Sequence, residues 1–169
     1  MATLREILKQ VFGHSEFRQG QEELINSLLS GRDVLGIMPT GAGKSVCYQL
    51  PSLIFKGMTI VISPLISLMK DQVTTLRQSG FSAAYLNSSL TASQQSEVLR
   101  RARLGAYRLM YVSPERLETK GFLELLQAIE ISFIAVDESH CVSQWGQDFR
   151  PDYLKIASFI ESLPVRPVI

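Results

Sequence analysis

Cysteine is scarce in this sequence, and so are the features of a secreted, fibrous or membrane-spanning chain. The two cysteines, Cys47 and Cys141, are far apart and in no metal-ligand spacing. That excludes a disulfide scaffold or a zinc ribbon and leaves two reduced structural thiols. An excess of one charge is lacking too: 17 Lys and Arg stand against 16 Asp and Glu, a formal net charge of +1. Bulk charge therefore gives no argument for a nucleic-acid partner, which has to be argued from local features. No apolar run approaches the ~20 residues that span a bilayer. The N-terminus alternates charge with hydrophobics and has no signal-peptide core. A cytoplasmic protein with no membrane partner is expected. No repeat, low-complexity tract or linker divides the 169 residues, so one domain with a real core is expected.

What is present is an alternation of amphipathic helices and short apolar strands, in a composition 46% apolar and 20% charged. Leu4, Ile7, Leu8, Val11 and Phe12 share a helical face that Gly13 is placed to end. Leu24, Ile25, Leu28 and Leu29 mark a second helix ending near Gly31. Val34-Leu35-Gly36-Ile37 reads as a short buried strand, and Ser45 opens a helix that Pro51 should disturb. Strands are predicted at Thr59–Ile62, Ala83–Leu86, Leu109–Val112 and Phe133–Val136. Helices are predicted over Leu65–Leu76, from a Thr91/Gln94 capping box to Gly105, over Phe122–Ile129 and from Pro151. Val168-Ile169 reads as the start of one more strand, so a piece of a longer protein is expected. Strands apolar throughout, separated by amphipathic helices, imply an α/β fold with a parallel sheet covered on both faces.

Between the first apolar run and its helix lies Met38-Pro39-Thr40-Gly41-Ala42-Gly43-Lys44-Ser45. Glycines let backbone N–H groups turn inward around phosphate oxygens, and a helix N-terminus adds partial positive charge. In this reading Thr40, Gly41, Ala42 and Gly43 cradle the phosphates, Lys44 reaches the β- and γ-phosphates, and Ser45 ligates Mg²⁺. Met38 stands where the strict pattern has its first glycine, and Gly-Lys-Ser alone would be an ordinary glycine turn. A second carboxylate is needed for the metal, and Phe133–Val136 delivers Asp137 and Glu138 at a strand C-terminus. Asp137 would hold Mg²⁺, and Glu138 would orient or deprotonate the attacking water. His140 either couples hydrolysis to motion or hydrogen-bonds locally.

A polar stretch after His140 carries Trp145, Phe149 and Arg150. Aromatic faces accept any base of a single strand, and arginine meets phosphate or stacks. Phe149 could equally plug its loop onto the domain.

Asp137-Glu138-Ser139-His140 together with the Pro-Thr-Gly-Ala-Gly-Lys-Ser loop resembles superfamily 2 helicases. Phe17–Gln21, Pro64–Gln72, Tyr111–Leu117 and above all His140–Pro151 resemble, in order, the adenine-recognition motif, motifs Ia and Ib and the aromatic-rich loop of RecQ-family DNA helicases. Ser139 stands where that family usually has Ala, Gln19 where many members have Pro, His14 near a common aromatic and Gln147 where many have His.

The resemblance implies a three-layer RecA-like P-loop NTPase domain with a mainly parallel central sheet. Residues 1–31 would form a helical segment in which Arg18 and Gln21 recognise the base, the Gln21 amide pairing with adenine and so selecting ATP. Ser63, Ser67 and Lys70 would contact DNA phosphates, although a solvated helix face explains Lys70 as well. The resemblance also implies an ATP- and Mg²⁺-dependent 3′–5′ helicase acting on single-stranded and forked DNA in repair and recombination. A second RecA-like lobe would then lie outside this chain, which alone is expected to be a monomer with weak activity.

Overall fold

A computed structural model describes residues 3–39, 41–143, 148–164 and 167–169. Its centre is a four-stranded, wholly parallel sheet in the order β2-β3-β1-β4, formed by β1 (Met58–Ile62), β2 (Ala83–Leu86), β3 (Leu109–Val112) and β4 (Ile131–Val136). Register runs Ile60↔Met110 and Ile60↔Ile134, so β1 is paired on both sides and every one of its residues is buried.

Side chains on successive residues leave a strand on opposite faces. Met58, Ile60, Ile62, Met110, Val112 and Ile134 face one core, packed by α5 (Ala92–Arg103), α6 (Lys120–Ala128) and α7 (Lys155–Glu161). Val61, Leu109 and Tyr111 face the other, where α4 (Ile66–Gln78) sets Met69, Val73 and Leu76 against the sheet. A satellite core of Leu8, Ile25, Val46 and Leu50 ties α1 (Leu4–Phe12) and α2 (Gln21–Leu29) to α3 (Lys44–Ile54). Both cores therefore come from one alternating pattern, and the expected three-layer α/β architecture is met. Among the described residues no helix is long and apolar enough to cross a membrane.

Local signals explain most of the boundaries. Thr3 with Glu6 and Thr91 with Gln94 form complete capping boxes. Gly13 ends α1 in the left-handed conformation at φ 71°, where a Cβ would be strained. Helix α3 departs from expectation by running through Pro51 to Ile54. Pro51 lies in the last turn, where few helical bonds remain to be lost, and the burial of Val46, Leu50 and Pro51 outweighs the missing donor. The helix expected from Pro151 divides into a 3₁₀ turn over Pro151–Leu154 followed by α7.

The larger correction concerns Val34–Ile37, which forms no strand: Leu35 is 76% and Ile37 91% exposed. The Val34 N–H donates to the Ile169 carbonyl at 2.8 Å, and the Ile134 N–H donates to the Val168 carbonyl at 2.9 Å. Val168-Ile169 thus stands between β4 and the 33–34 segment. Beyond that point residues 35–37 face β4 across a cavity of about 710 Å³ instead of a neighbouring strand. Apolarity predicted burial here, but a strand also needs a partner within ~4.8 Å.

Two backbones approach closely at the entry of β1. A Cβ on Gly57 would lie 2.6 Å from the Glu130 carbonyl oxygen, and Met58 already donates to that same oxygen at 2.9 Å. Gly57→Ala is expected to destabilise the fold by ~1–3 kcal/mol, as overpacking does, read as a lower urea midpoint. An unchanged midpoint would mean that β1 and β4 separate there without loss.

Candidate active site

The start of α3 and the end of β4 converge on one rim of the sheet. Gly41 and Gly43 both adopt left-handed φ, at 79° and 80°, and Gly43 caps the first turn of α3. A Cβ on Gly43 would also strike the Gln21 amide at 2.6 Å, so conformation and space both demand glycine. The loop then delivers Lys44 and Ser45 at the positive end of the helix. Thr40 lies outside the described residues.

Residues 18–21 hold this loop from outside. The Gln21 Oε1 accepts from the Arg18 N–H at 2.8 Å, and its Nε2 donates to the Gly43 carbonyl at 2.9 Å. The Arg18 guanidinium donates to the Gly41 carbonyl. Gln21 is 3% exposed. Both ends of its amide are therefore engaged within the protein, and it does not stand open to a base as the sequence reading expected. Arg18 is exposed beside a second cavity that also reaches Pro39 and Ala42.

At the other element, Asp137 continues the β4 line, with its N–H bonded to the Ile62 carbonyl at 2.9 Å. Its own carbonyl accepts from the Tyr153 hydroxyl at 2.7 Å. Glu138 turns the chain in left-handed conformation at φ 52°, the only non-glycine with positive φ among the described residues. Such a residue is strained and persists where its surroundings hold it. Its two carboxylate oxygens reach in two directions, Oε1 to Lys44 Nζ at 3.7 Å and Oε2 to His140 Nδ1 at 3.3 Å. His140 Nε2 lies 3.8 Å from Asp148. Burial raises the pKa of Asp137, and the neighbouring Glu138 charge raises it further. The Glu138 N–H, Lys44 and His140 oppose that shift. The 710 Å³ cavity is lined by Lys44, Asp137, Glu138, His140 and Tyr48.

A family profile described as DEAD/DEAH box helicase matches residues 18–168. The chain belongs to the DEAD/DEAH box helicases. This helicase domain is 51% identical over 167 residues to the ATP-dependent DNA helicase RecQ of Haemophilus influenzae, covering 99% of this chain and 27% of that protein. It is 49% identical to RecQ of Bacillus subtilis, over 98% of this chain and 28% of that one. The chain thus spans little more than a quarter of the length of these curated relatives. A hypothetical ATP-dependent RNA helicase from Sulfolobus tokodaii superposes with a TM-score of 0.72 at 19% identity, over 98% of this chain and 48% of that one. That structural likeness supports the RecA-like helicase fold, and the resemblance to RecQ helicases read from the motifs is borne out.

The residues expected to meet nucleic acid are less uniform. In the helicase domain Ser67 and Lys70 are exposed on α4. Ser63 is not: it is 4% exposed, and its hydroxyl accepts from the Leu65 N–H. It shapes the turn into α4 and offers no surface donor. Arg150 is exposed and its N–H bonds to the Cys141 carbonyl at 3.0 Å, while Phe149 is half-buried. Trp145, with Gln147, lies outside the described residues. Sequence reasoning missed Tyr48 and Gln49, one turn beyond Ser45, and Tyr153. The spacing of Tyr48 from Ser45, three residues along one helix face, was the available signal.

The raised pKa of Asp137 has a definite sign. The folded state holds this proton more tightly than the unfolded chain does, whose ordinary value is 3.8. Stability from this group is therefore present at low pH and lost as pH rises through the window above 3.8. At neutral pH the ionised carboxylate is a net strain on the fold. Asp137→Asn is expected to raise Tm at pH 7 without nucleotide by a few degrees, since ~1 kcal/mol corresponds to about 2–4 °C at this length. The difference from wild type should shrink toward pH 4 in thermal melts. A lower Tm for the variant at pH 7 would sink this account.

Proposed function

We propose that this chain is the ATP-binding lobe of an ATP-dependent 3′–5′ DNA helicase of RecQ type, acting on single-stranded and forked DNA in repair and recombination. The observation that carries the reading is the meeting of Lys44 with Glu138 beside Asp137, where the first turn of α3 faces the end of β4. These are the groups that phosphoryl-transfer sites require: a cation for the phosphates, a carboxylate for the metal and a second carboxylate for water. Identity of 51% and 49% to RecQ DNA helicases supports DNA over RNA as the track.

Ser45 and Asp137 would hold Mg²⁺. Both offer hard oxygen donors, which suit a cation that takes one or two carboxylates and completes its shell with phosphate and water. Among the described residues no group of three or more His, Cys, Asp or Glu could hold a metal alone, so nucleotide and cation would bind together. When bound, the cation neutralises charge on the phosphates. The chain's own residues do the rest. Lys44 exchanges its Glu138 partner for phosphate oxygens, which frees Glu138 Oε1 to orient the attacking water. His140 keeps Glu138 Oε2 in place from the other side. Gly41 and Gly43 would present backbone N–H groups, the Ala42 N–H being donated to the Pro39 carbonyl at 3.2 Å, and Arg18 and Gln21 hold the Gly41 and Gly43 carbonyls. Ser67, Lys70, Trp145, Phe149 and Arg150 would face the DNA. A second RecA-like lobe of the same protein would supply an arginine to the γ-phosphate, worth ~10³–10⁵ in rate. A cytoplasmic, monomeric chain that alone binds ATP weakly and hydrolyses it poorly follows from this division.

The test is steady-state ATP hydrolysis and duplex unwinding by the complete protein that carries this chain. Lys44→Ala should reduce hydrolysis by ~10²–10³, the range for removing one transition-state charge contact. Unwinding by that variant at the wild-type rate would defeat the catalytic assignment. Single-stranded DNA should stimulate hydrolysis, and RNA of equal length should not.

A further inference from the structure

Behind the nucleotide site, α3 meets β3 and α4 through polar side chains set in an otherwise apolar core. Gln49, one turn into α3, is 4% exposed. Its Nε2 donates twice, to the Tyr111 hydroxyl on β3 at 2.8 Å and to Gln72 Oε1 on α4 at 3.0 Å. Tyr111 is 2% exposed. Its ring meets Tyr48 edge-to-face, with centroids 6.3 Å apart and planes at 77°. Tyr48 in turn lines the cavity shared with Lys44, Asp137 and Glu138. Around these groups the core is Val61, Met69, Val73, Leu76 and Phe81.

We propose that Tyr48, Tyr111, Gln49 and Gln72, joined by one ring contact and two buried hydrogen bonds, form a relay that transmits the state of the phosphate loop to α4. The proposal rests on the motor function proposed above and adds the route by which the nucleotide site and the α4 surface sense each other.

The physical argument concerns slack. An apolar contact tolerates small sliding, whereas a buried hydrogen bond fails beyond a few tenths of an ångström and leaves polar atoms unsatisfied. Gln49 has two amide protons and both are used, so it cannot follow α3 without drawing on Tyr111 and Gln72 together. At the near end Tyr48 and Lys44 line one cavity and stand on the same helix as Gln49, so filling that cavity acts on the helix that holds the relay. At the far end Gln72 is half-buried on α4, the helix that exposes Ser67 and Lys70. Displacement of the α3 first turn by phosphate is thus passed to the surface proposed to meet DNA, through Tyr48 and Gln49 on α3, Tyr111 on β3 and Gln72 on α4. Apolar packing alone would have served stability, since Leu or Met at these positions would need no partners. The polar set fits a role in coupling.

The complete protein carrying Gln49→Leu should keep its DNA-independent ATP hydrolysis within about twofold of wild type and its affinity for single-stranded DNA within the same margin. Stimulation of hydrolysis by DNA should fall at least tenfold. Gln72→Met removes the acceptor and should do the same to stimulation, whereas Gln72→Glu keeps an acceptor for Gln49 and should retain it. A merely structural role would not separate these two. Adding AMP-PNP with Mg²⁺ should also change amide hydrogen exchange along α4 in wild type and leave it unchanged in Gln49→Leu. Normal DNA stimulation in Gln49→Leu, or equal loss in Gln72→Met and Gln72→Glu, would overturn the relay. If Gln49→Leu does not fold, the Gln72 pair decides. If wild type shows no DNA stimulation, the motor function fails. The exchange response of α4 then decides the relay alone, a response confined to wild type supporting it and a response absent or shared overturning it.

Discussion

Glu138 is the residue on which the site's geometry turns. A glutamate at φ 52° sits in a region that L-residues enter at a cost of ~1–3 kcal/mol, and it needs its neighbours to stay there. Asp137 is held on both sides of its peptide, by Ile62 through the N–H and by Tyr153 through the carbonyl. With the preceding residue fixed, the left-handed turn throws the Glu138 carboxylate across to α3 rather than along the β4 axis. There it spans Lys44 and His140 with one oxygen for each. An extended residue at this position would continue the strand and leave Lys44 without its partner. The strain of one residue thus joins two elements that are far apart in sequence.

The same rim shows why glycine recurs in the phosphate loop. Gly43 is excluded from carrying a Cβ by its φ and, independently, by the Gln21 amide. That amide occupies space a side chain would need because it must reach the Gly43 carbonyl. Arg18 and Gln21 take the Gly41 and Gly43 carbonyls, and the Ala42 N–H between them closes a turn onto the Pro39 carbonyl at 3.2 Å. In the structure residues 18–21 are the outer support of the loop. Any ligand that draws Gln21 toward itself competes with the bond that shapes the loop.

Elements written in local chemistry were legible beforehand, and elements written in distant partners were not. Strands β2 and β3 fall where β-branched and apolar runs placed them, and both capping boxes form, because each depends on residues within a few positions. The loop glycines, Lys44, Asp137 and Glu138 were legible for the same reason. Val34–Ile37 was not, since its apolar side chains say nothing of whether a neighbouring strand is there. Ser63 was misplaced because a serine at a strand end reads alike whether it faces solvent or caps the next turn. Gln21 looked like a ligand group, and its burial against backbone carbonyls 21 and 22 residues away has no signature in the local sequence. Gln49 and Tyr111, 62 residues apart, could be joined only by the fold.

These misses share a consequence for how the site is held. A phosphate loop that follows a paired strand inherits its position from the sheet. In this chain the segment leading into the loop keeps two described bonds to Ile169 on the sheet side, from the Val34 N–H to its carbonyl and from its N–H to the Asp33 carboxylate, and Leu35 and Ile37 are left exposed. The loop is positioned instead from its far side, by α3 packed through Val46 and Leu50 onto α1 and α2, and from above by Arg18 and Gln21. Two helices and a clamp replace a strand as its anchor. Since α2 begins at Gln21 itself, the clamp and the packing against α3 belong to one helix. The loop thus meets the sheet side through the pair of Lys44 and Glu138, 3.7 Å apart, which joins this helical support to the end of β4.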